Sequence, residues 1–112
     1  MGNSEKQPLA VLIVEDSIVD AKLLVRTLEQ GGFAVSHSVV DSASTMRQRL
    51  SKKHWDVILS DYSLPGFGAE DALELVHKSG QDIPFIVISG VIQELTAIEL
   101  MRKGAHDYLM KE

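Results

Sequence analysis

Three carboxylates, a hydroxyl and an ammonium fall where apolar runs of this chain stop. Residues 9–14 end at Glu15-Asp16, and residues 56–60 end at Asp61, which opens the turn Tyr62-Ser63-Leu64-Pro65-Gly66. Residues 84–88 end at Ser89-Gly90, and residues 106–110 end at Lys111. Carboxylates brought together repel, and some would stay protonated unless a cation joins them. Mg²⁺ suits such a set, because it takes one or two carboxylates and a carbonyl and keeps several waters. The expected ligands are Asp16 and Asp61 directly, Ser63 through its main-chain carbonyl and Glu15 through a coordinated water. Metal and Lys111 together ring Asp61 with positive charge, as in-line phosphoryl transfer requires. Asp61 is then a carboxylate nucleophile that forms an acyl phosphate. The metal takes one phosphoryl oxygen, Lys111 a second, and Ser89 with nearby backbone N–H groups the third. Gly90 leaves space for a donor to approach.

These residues can meet only if the runs are parallel strands with their carboxyl ends on one edge, where open α/β sheets bind ligands. The rest of the sequence supports that. The continuous apolar run 9–14 reads as a strand buried on both faces. Ser17 is a candidate N-cap for a helix over 17–30, with Asp20 as the acid of a capping box, and Gly31-Gly32 ends it. Residues 34–40 alternate and read as a strand nearer an edge, followed by a polar amphipathic helix over 42–53. A central strand (56–60), a helix (69–79), a strand (83–88), a helix (93–103) closing on Gly104 and a strand (105–110) complete the pattern. Strict alternation with short connections predicts a parallel sheet with helices on both faces and right-handed crossovers.

At 112 residues and 45% hydrophobic, the chain suits one domain with one core. Its net charge of −5 and scattered basic residues argue against nucleic-acid binding, which recruits Lys/Arg patches. No cysteine is present, so disulfides and thiolate metal sites are excluded. No apolar run reaches the roughly 20 residues of a membrane span, and a cytoplasmic domain that does not meet the membrane is expected. Residues 1–8 are expected to be a disordered lead-in and residues 9–112 the domain. After the fifth strand only Lys111 and Glu112 remain, so a fifth helix is missing and the sheet flank beside the first helix should lack its cover. A fragment of a longer protein is expected, forming a homodimer through that surface when isolated.

The set Glu15-Asp16, Asp61, Ser89 and Lys111, with Pro65 four residues after Asp61 and Gly104-Ala105 before the last strand, resembles the receiver domain of two-component response regulators. The resemblance runs from Leu9 to Lys111. It implies a flavodoxin-like, doubly wound five-stranded parallel sheet of order 2-1-3-4-5. It further implies phosphorylation of Asp61 from a phosphohistidine of a sensor histidine kinase or phosphotransfer protein, with Mg²⁺, and control of a downstream output domain or effector. In the implied switch, Ser89 moves toward the phosphoryl group and Tyr108 swings in behind it, altering the surface of the fourth helix and fifth strand.

The chain departs from the family pattern in places. The family carries Lys-Pro with a cis bond at the last strand end, whereas Glu112 follows Lys111 here. A trans bond is expected, since cis costs about 2.5–4 kcal/mol without proline. Any positive φ in the turn after Asp61 must fall on Gly66 or Gly68. Val91 cannot orient an attacking water, which predicts slow loss of the phosphoryl group. Two other functions compete: a phosphorylation-independent pseudo-receiver acting as an interaction or dimerisation module, and a haloacid-dehalogenase-like phosphohydrolase. The hydrolase wants a second acid two residues after its nucleophile, where this chain has Ser63. A signalling phosphoacceptor, not an enzyme acting on other substrates, is the expectation. His37, His54, His77 and His106 show no ligand spacing and read as surface or strand residues.

Overall fold

The computed structural model describes residues 6–62, 64–90 and 94–111. Its elements run β1 (Gln7–Val14), α1 (Ile18–Gln30), β2 (Phe33–Val40), α2 (Ala43–Lys52), β3 (Val57–Asp61), α3 (Ala69–Ser79), β4 (Phe85–Ser89), α4 (Glu94–Arg102) and β5 (Asp107–Met110). All four strand pairings are parallel, and the order is β2-β1-β3-β4-β5. The chain reverses direction across the sheet between β1 and β3, which opens the crevice where doubly wound folds bind ligands. Strand β1 begins at Gln7, two residues before Leu9, and pairs with Phe33 at the start of β2.

Residues of β1, β3 and β4 alternate between two clusters, as the period of a strand demands. One cluster joins Leu12, Val14, Ile58, Phe85 and Val87 to α2, α3 and α4 through Met46, Leu73, Val76 and Leu100. The other joins Val11, Ile13, Leu59 and Ile88 to Ala21, Leu24, Val25 and Leu28 of α1. Among the described residues α1 is the only helix on that second face. Val57 and Ile86 there are half-buried, and Leu109 keeps 46% exposure. The flank expected to lack cover is therefore partly open.

Trp55, 2% exposed, closes the bottom of the first cluster, and its indole N–H donates to the Arg49 carbonyl at 3.0 Å. The turn after Asp61 takes its positive φ at Gly66 (72°), while Gly68 is extended and serves as the N-cap of α3. Gly68 has no hydroxyl, so only the returning half of a capping box forms there, Asp71 accepting from the Gly68 N–H at 3.1 Å. The four histidines are exposed, although His106 Nδ1 also accepts from the Phe85 N–H at 2.9 Å.

The start of α1 corrects one expectation. Ser17 is the N-cap, its hydroxyl accepting from the Asp20 N–H at 3.2 Å. The Asp20 carboxylate does not return to the cap, however. The Ser17 N–H instead donates to Glu15 Oε2 at 3.3 Å, and the freed Asp20 side chain turns to Lys111. Replacing Ser17 by Ala is expected to cost about 1 kcal/mol, the usual value of a lost N-cap. Urea unfolding checks this as a lower midpoint at unchanged slope.

Candidate functional site

The carboxyl ends of β1, β3, β4 and β5 lie side by side, because parallel pairing puts Val14 beside Ser60, Asp61 beside Ile88 and Ser89 beside Met110. Asp61 is the last residue of β3 rather than the first beyond it. The Tyr62 N–H donates to the Ile88 carbonyl at 3.0 Å, and the Lys111 N–H donates to the Ser89 carbonyl at 2.7 Å. Those backbone bonds fix the strand ends that carry Asp61, Ser89 and Lys111.

One carboxylate oxygen from each of Glu15, Asp16 and Asp61 lies within 4.8 Å of the others. Glu15 is buried, Asp16 exposed and Asp61 half-buried, so the cluster forms a funnel open to solvent on the Asp16 side. The donor set is hard oxygen throughout, which fits Mg²⁺ or Ca²⁺ and not a soft metal. Opposite oxygens around an octahedral Mg²⁺ are about 4.2 Å apart, twice the usual bond length. A spread of up to 4.8 Å therefore fits an ion bound directly by some of these groups and through water by another.

Lys111 closes the cluster on its inner side. Its Nζ lies 3.0 Å from Glu15 Oε1, 2.9 Å from Asp20 Oδ2 and 3.6 Å from Asp61 Oδ1. Burial, the largest influence on Lys111, works against its charge, yet hydrogen bonds to Asp20 and Glu15 and the field of Asp61 outweigh it. The ammonium is held well above its ordinary 10.5. A raised lysine contributes stability that is fully present below about 10.5 and is lost only as pH climbs through the higher folded-state value. Burial pushes Glu15 above its usual carboxylate range, opposed by hydrogen bonds from Lys111 and the Ser17 N–H and reinforced by the Asp61 charge.

Ser89 is 8% exposed at the end of β4, and the exposed Gly90 follows it with open space around its α-carbon. Tyr108 is half-buried on β5 against the α2–α3–α4 cluster, its ring centroid 6.4 Å from that of Tyr62. Ser63, Val91 and Glu112 lie outside the described residues. The carbonyl ligand, the water-orienting position and the Lys111–Glu112 bond expected from the sequence therefore have no structural counterpart to compare. Asp20 was missed as a site residue. Its spacing from Ser17 matched a capping box, and nothing local shows that a lysine 91 positions away reaches it.

Fold and acid cluster together define a doubly wound α/β domain with a carboxylate-lined crevice at its strand ends. The chain belongs to the response regulator receiver domain family of two-component systems, whose family model matches residues 11–112. It is 29% identical over 101 residues to the DNA-binding transcriptional regulator NtrC of Rhizobium meliloti, covering 90% of this chain and 20% of NtrC. It is 31% identical over 104 residues to the two-component response regulator ORR3 of Oryza sativa, covering 90% of this chain and 78% of ORR3. The chain thus spans about a fifth of the length of the first curated relatives it matches. The solved CheX–CheY–BeF₃–Mg²⁺ complex of Borrelia burgdorferi superposes with a TM-score of 0.81 at 22% identity, over 95% of this chain and 80% of that one. That likeness speaks for the fold alone. No helix of the described residues is long and apolar enough to cross a membrane.

Proposed function

We propose that this domain accepts a phosphoryl group on Asp61 from a phosphohistidine of a sensor kinase or phosphotransfer protein. The observation that carries the reading is the convergence of Glu15, Asp16 and Asp61 within 4.8 Å, with the Lys111 ammonium beside them. An Asp61 oxygen forms the new P–O bond as the P–N bond of the donor breaks, and the imidazole leaves with the electron pair. Mg²⁺, held by Asp16 and Asp61 and reached through water by Glu15, would supply charge neutralisation at the phosphoryl oxygens. The Ser63 carbonyl is assigned to the same ion. Lys111 compensates a second phosphoryl oxygen, and Ser89, next to the Ile88 that pairs with Asp61 on the adjacent strand, takes the third. Gly90 and Val91 are assigned to access by the donor.

Phosphorylation selects between two packings of an existing equilibrium rather than building a new one. Ser89 and Tyr108 are the moving parts in this reading, and exposed Leu95, Ile98 and Met110 of α4 and β5 form the surface that responds. An attached output domain or a separate effector reads that surface in the cytoplasm. The half-covered face beside α1 is assigned to a second copy of the domain. A pseudo-receiver has less support, because Asp61 and Lys111 sit 3.6 Å apart within an intact acid cluster.

Incubation with acetyl phosphate tests the assignment. With Mg²⁺, intact mass should show one added phosphoryl group, absent in Asp61→Asn or when the metal is chelated. Mass gain that persists in Asp61→Asn would refute the role of Asp61. Val91→Glu should shorten the life of the acyl phosphate several-fold, well below the roughly 10²–10⁴-fold of a fully positioned general base. An unchanged decay would show that the residue at 91 does not limit hydrolysis.

A further inference from the structure

The site contains a charge that the proposed phosphoryl transfer does not require. Asp20, at the start of α1, takes Lys111 at 2.9 Å, closer than the 3.6 Å from Lys111 to Asp61. Glu15 holds the same ammonium at 3.0 Å. The Asp20 and Glu15 contacts meet hydrogen-bond geometry, and the Asp61 contact is longer than a hydrogen bond allows. The two holders differ in setting. The Glu15 side chain is 2% exposed and also accepts from the Ser17 N–H, so it is fixed. The Asp20 side chain is 39% exposed, so water can replace Lys111 when it leaves.

We infer that Asp20 is a positioning residue that competes with the phosphoryl group for Lys111, holding the ammonium toward α1 until Asp61 is modified. The inference rests on the phosphoacceptor reading above. A phosphoryl group on Asp61 brings more negative charge than the carboxylate it replaces. Lys111 then shifts across the short gap to a phosphoryl oxygen and gives up the solvent-facing Asp20, while Glu15 stays in place. Because Asp20 lies in the first turn of α1 and Lys111 follows β5, releasing their bond also uncouples the start of α1 from the end of β5. An ion pair made only in the unmodified form stabilises that form, and so weakens the modified one.

Beryllofluoride with Mg²⁺ serves as the phosphoryl probe, titrated into the wild type, Asp20→Asn, Lys111→Ala and the double variant. Asp20→Asn is expected to bind it roughly threefold to tenfold more tightly, in the lower part of the range for a coupling between contacting charges. That gain should vanish in the Lys111→Ala background. An equal gain in both backgrounds would mean that Asp20 acts only through its own repulsion of the anion, which overturns the inference, as does no gain at all. Wild type that fails to bind the probe overturns both this inference and the phosphoacceptor reading, whereas wild-type binding with an unaltered Asp20→Asn overturns the inference alone. A metal-free readout is independent of the probe. In a crystal structure of Asp20→Asn without Mg²⁺, Lys111 Nζ should lie within hydrogen-bond distance of Asp61, and a lysine left where it is now would contradict the competition. Should Asp20→Asn not fold, Asp20→Ser takes its place in both measurements, with the same outcomes expected.

Discussion

Removing Lys111 should destabilise the metal-free domain by roughly 3 kcal/mol near neutral pH, the lower end for breaking a buried ion pair. The value sits low because Lys111 keeps 24% of its side chain exposed, while Glu15 keeps only 2%. In Lys111→Ala, Glu15 stays buried and loses both the hydrogen bond and the field that now oppose its upward shift. Its folded-state pKa must then rise further above the usual 4.5. An acid with a raised folded-state pKa binds more protons folded than unfolded, so stability grows as pH falls through that value. The gap between wild type and Lys111→Ala should therefore narrow as pH drops toward 4.5 and Glu15 takes up a proton in both folded proteins. Denaturant midpoints across pH 4.5–8 check this. A constant gap across that range would mean that Glu15 does not carry the penalty.

Phe85→Ala should have the largest effect on stability, about 3–5 kcal/mol for a truncated buried aromatic. Phe85 is fully buried in the first cluster, opposite Ile58 of β3. It also starts the strand whose far end carries Ser89. Against a total of about 5–15 kcal/mol for an ordinary domain, such a loss leaves a marginal fold. Thermal unfolding should move down by tens of degrees, on the usual scale of about 4–8 °C per kcal/mol for a small domain. A shift of only a few degrees would mean that α2, α3 and α4 collapse onto the gap more completely than their packing suggests.

Much of the fold was legible because the physics behind it is local. The apolar run at residues 9–14 needs two covered faces, and β1 indeed lies between β2 and β3. Alternation over β2 marked a strand with one solvated side, and it sits at the edge. Ser17 was readable as a cap since a hydroxyl beside a periodic apolar stretch satisfies orphan N–H groups within three residues. Boundaries slipped by one or two residues at all five strands, where ladder pairing with a distant strand sets the end. Asp61 belongs to β3 for that reason, its place fixed by pairing with Ile88.

The site was legible as a set of residue types at strand ends, but not as a network. Convergence of Glu15, Asp16 and Asp61 follows from parallel topology, which alternation implies. The partners of Lys111 do not follow from it. Asp20 is close in sequence to a cap and looked like part of one, and only the packing of α1 across β1, β3 and β4 brings it to the lysine that follows β5. The Tyr62–Tyr108 neighbourhood was hidden in the same way, one ring following β3 and the other lying within β5.

Titration calorimetry with Mg²⁺ tests the central claim most directly, on wild type beside Asp16→Ala and Asp61→Asn. One ion per chain should bind the wild type, with affinity lost or weakened at least tenfold in each variant, as removal of a direct carboxylate ligand from a small, hard ion requires. No detectable binding by the wild type, or binding untouched by both substitutions, would contradict a cation-loaded pocket at the ends of β1 and β3.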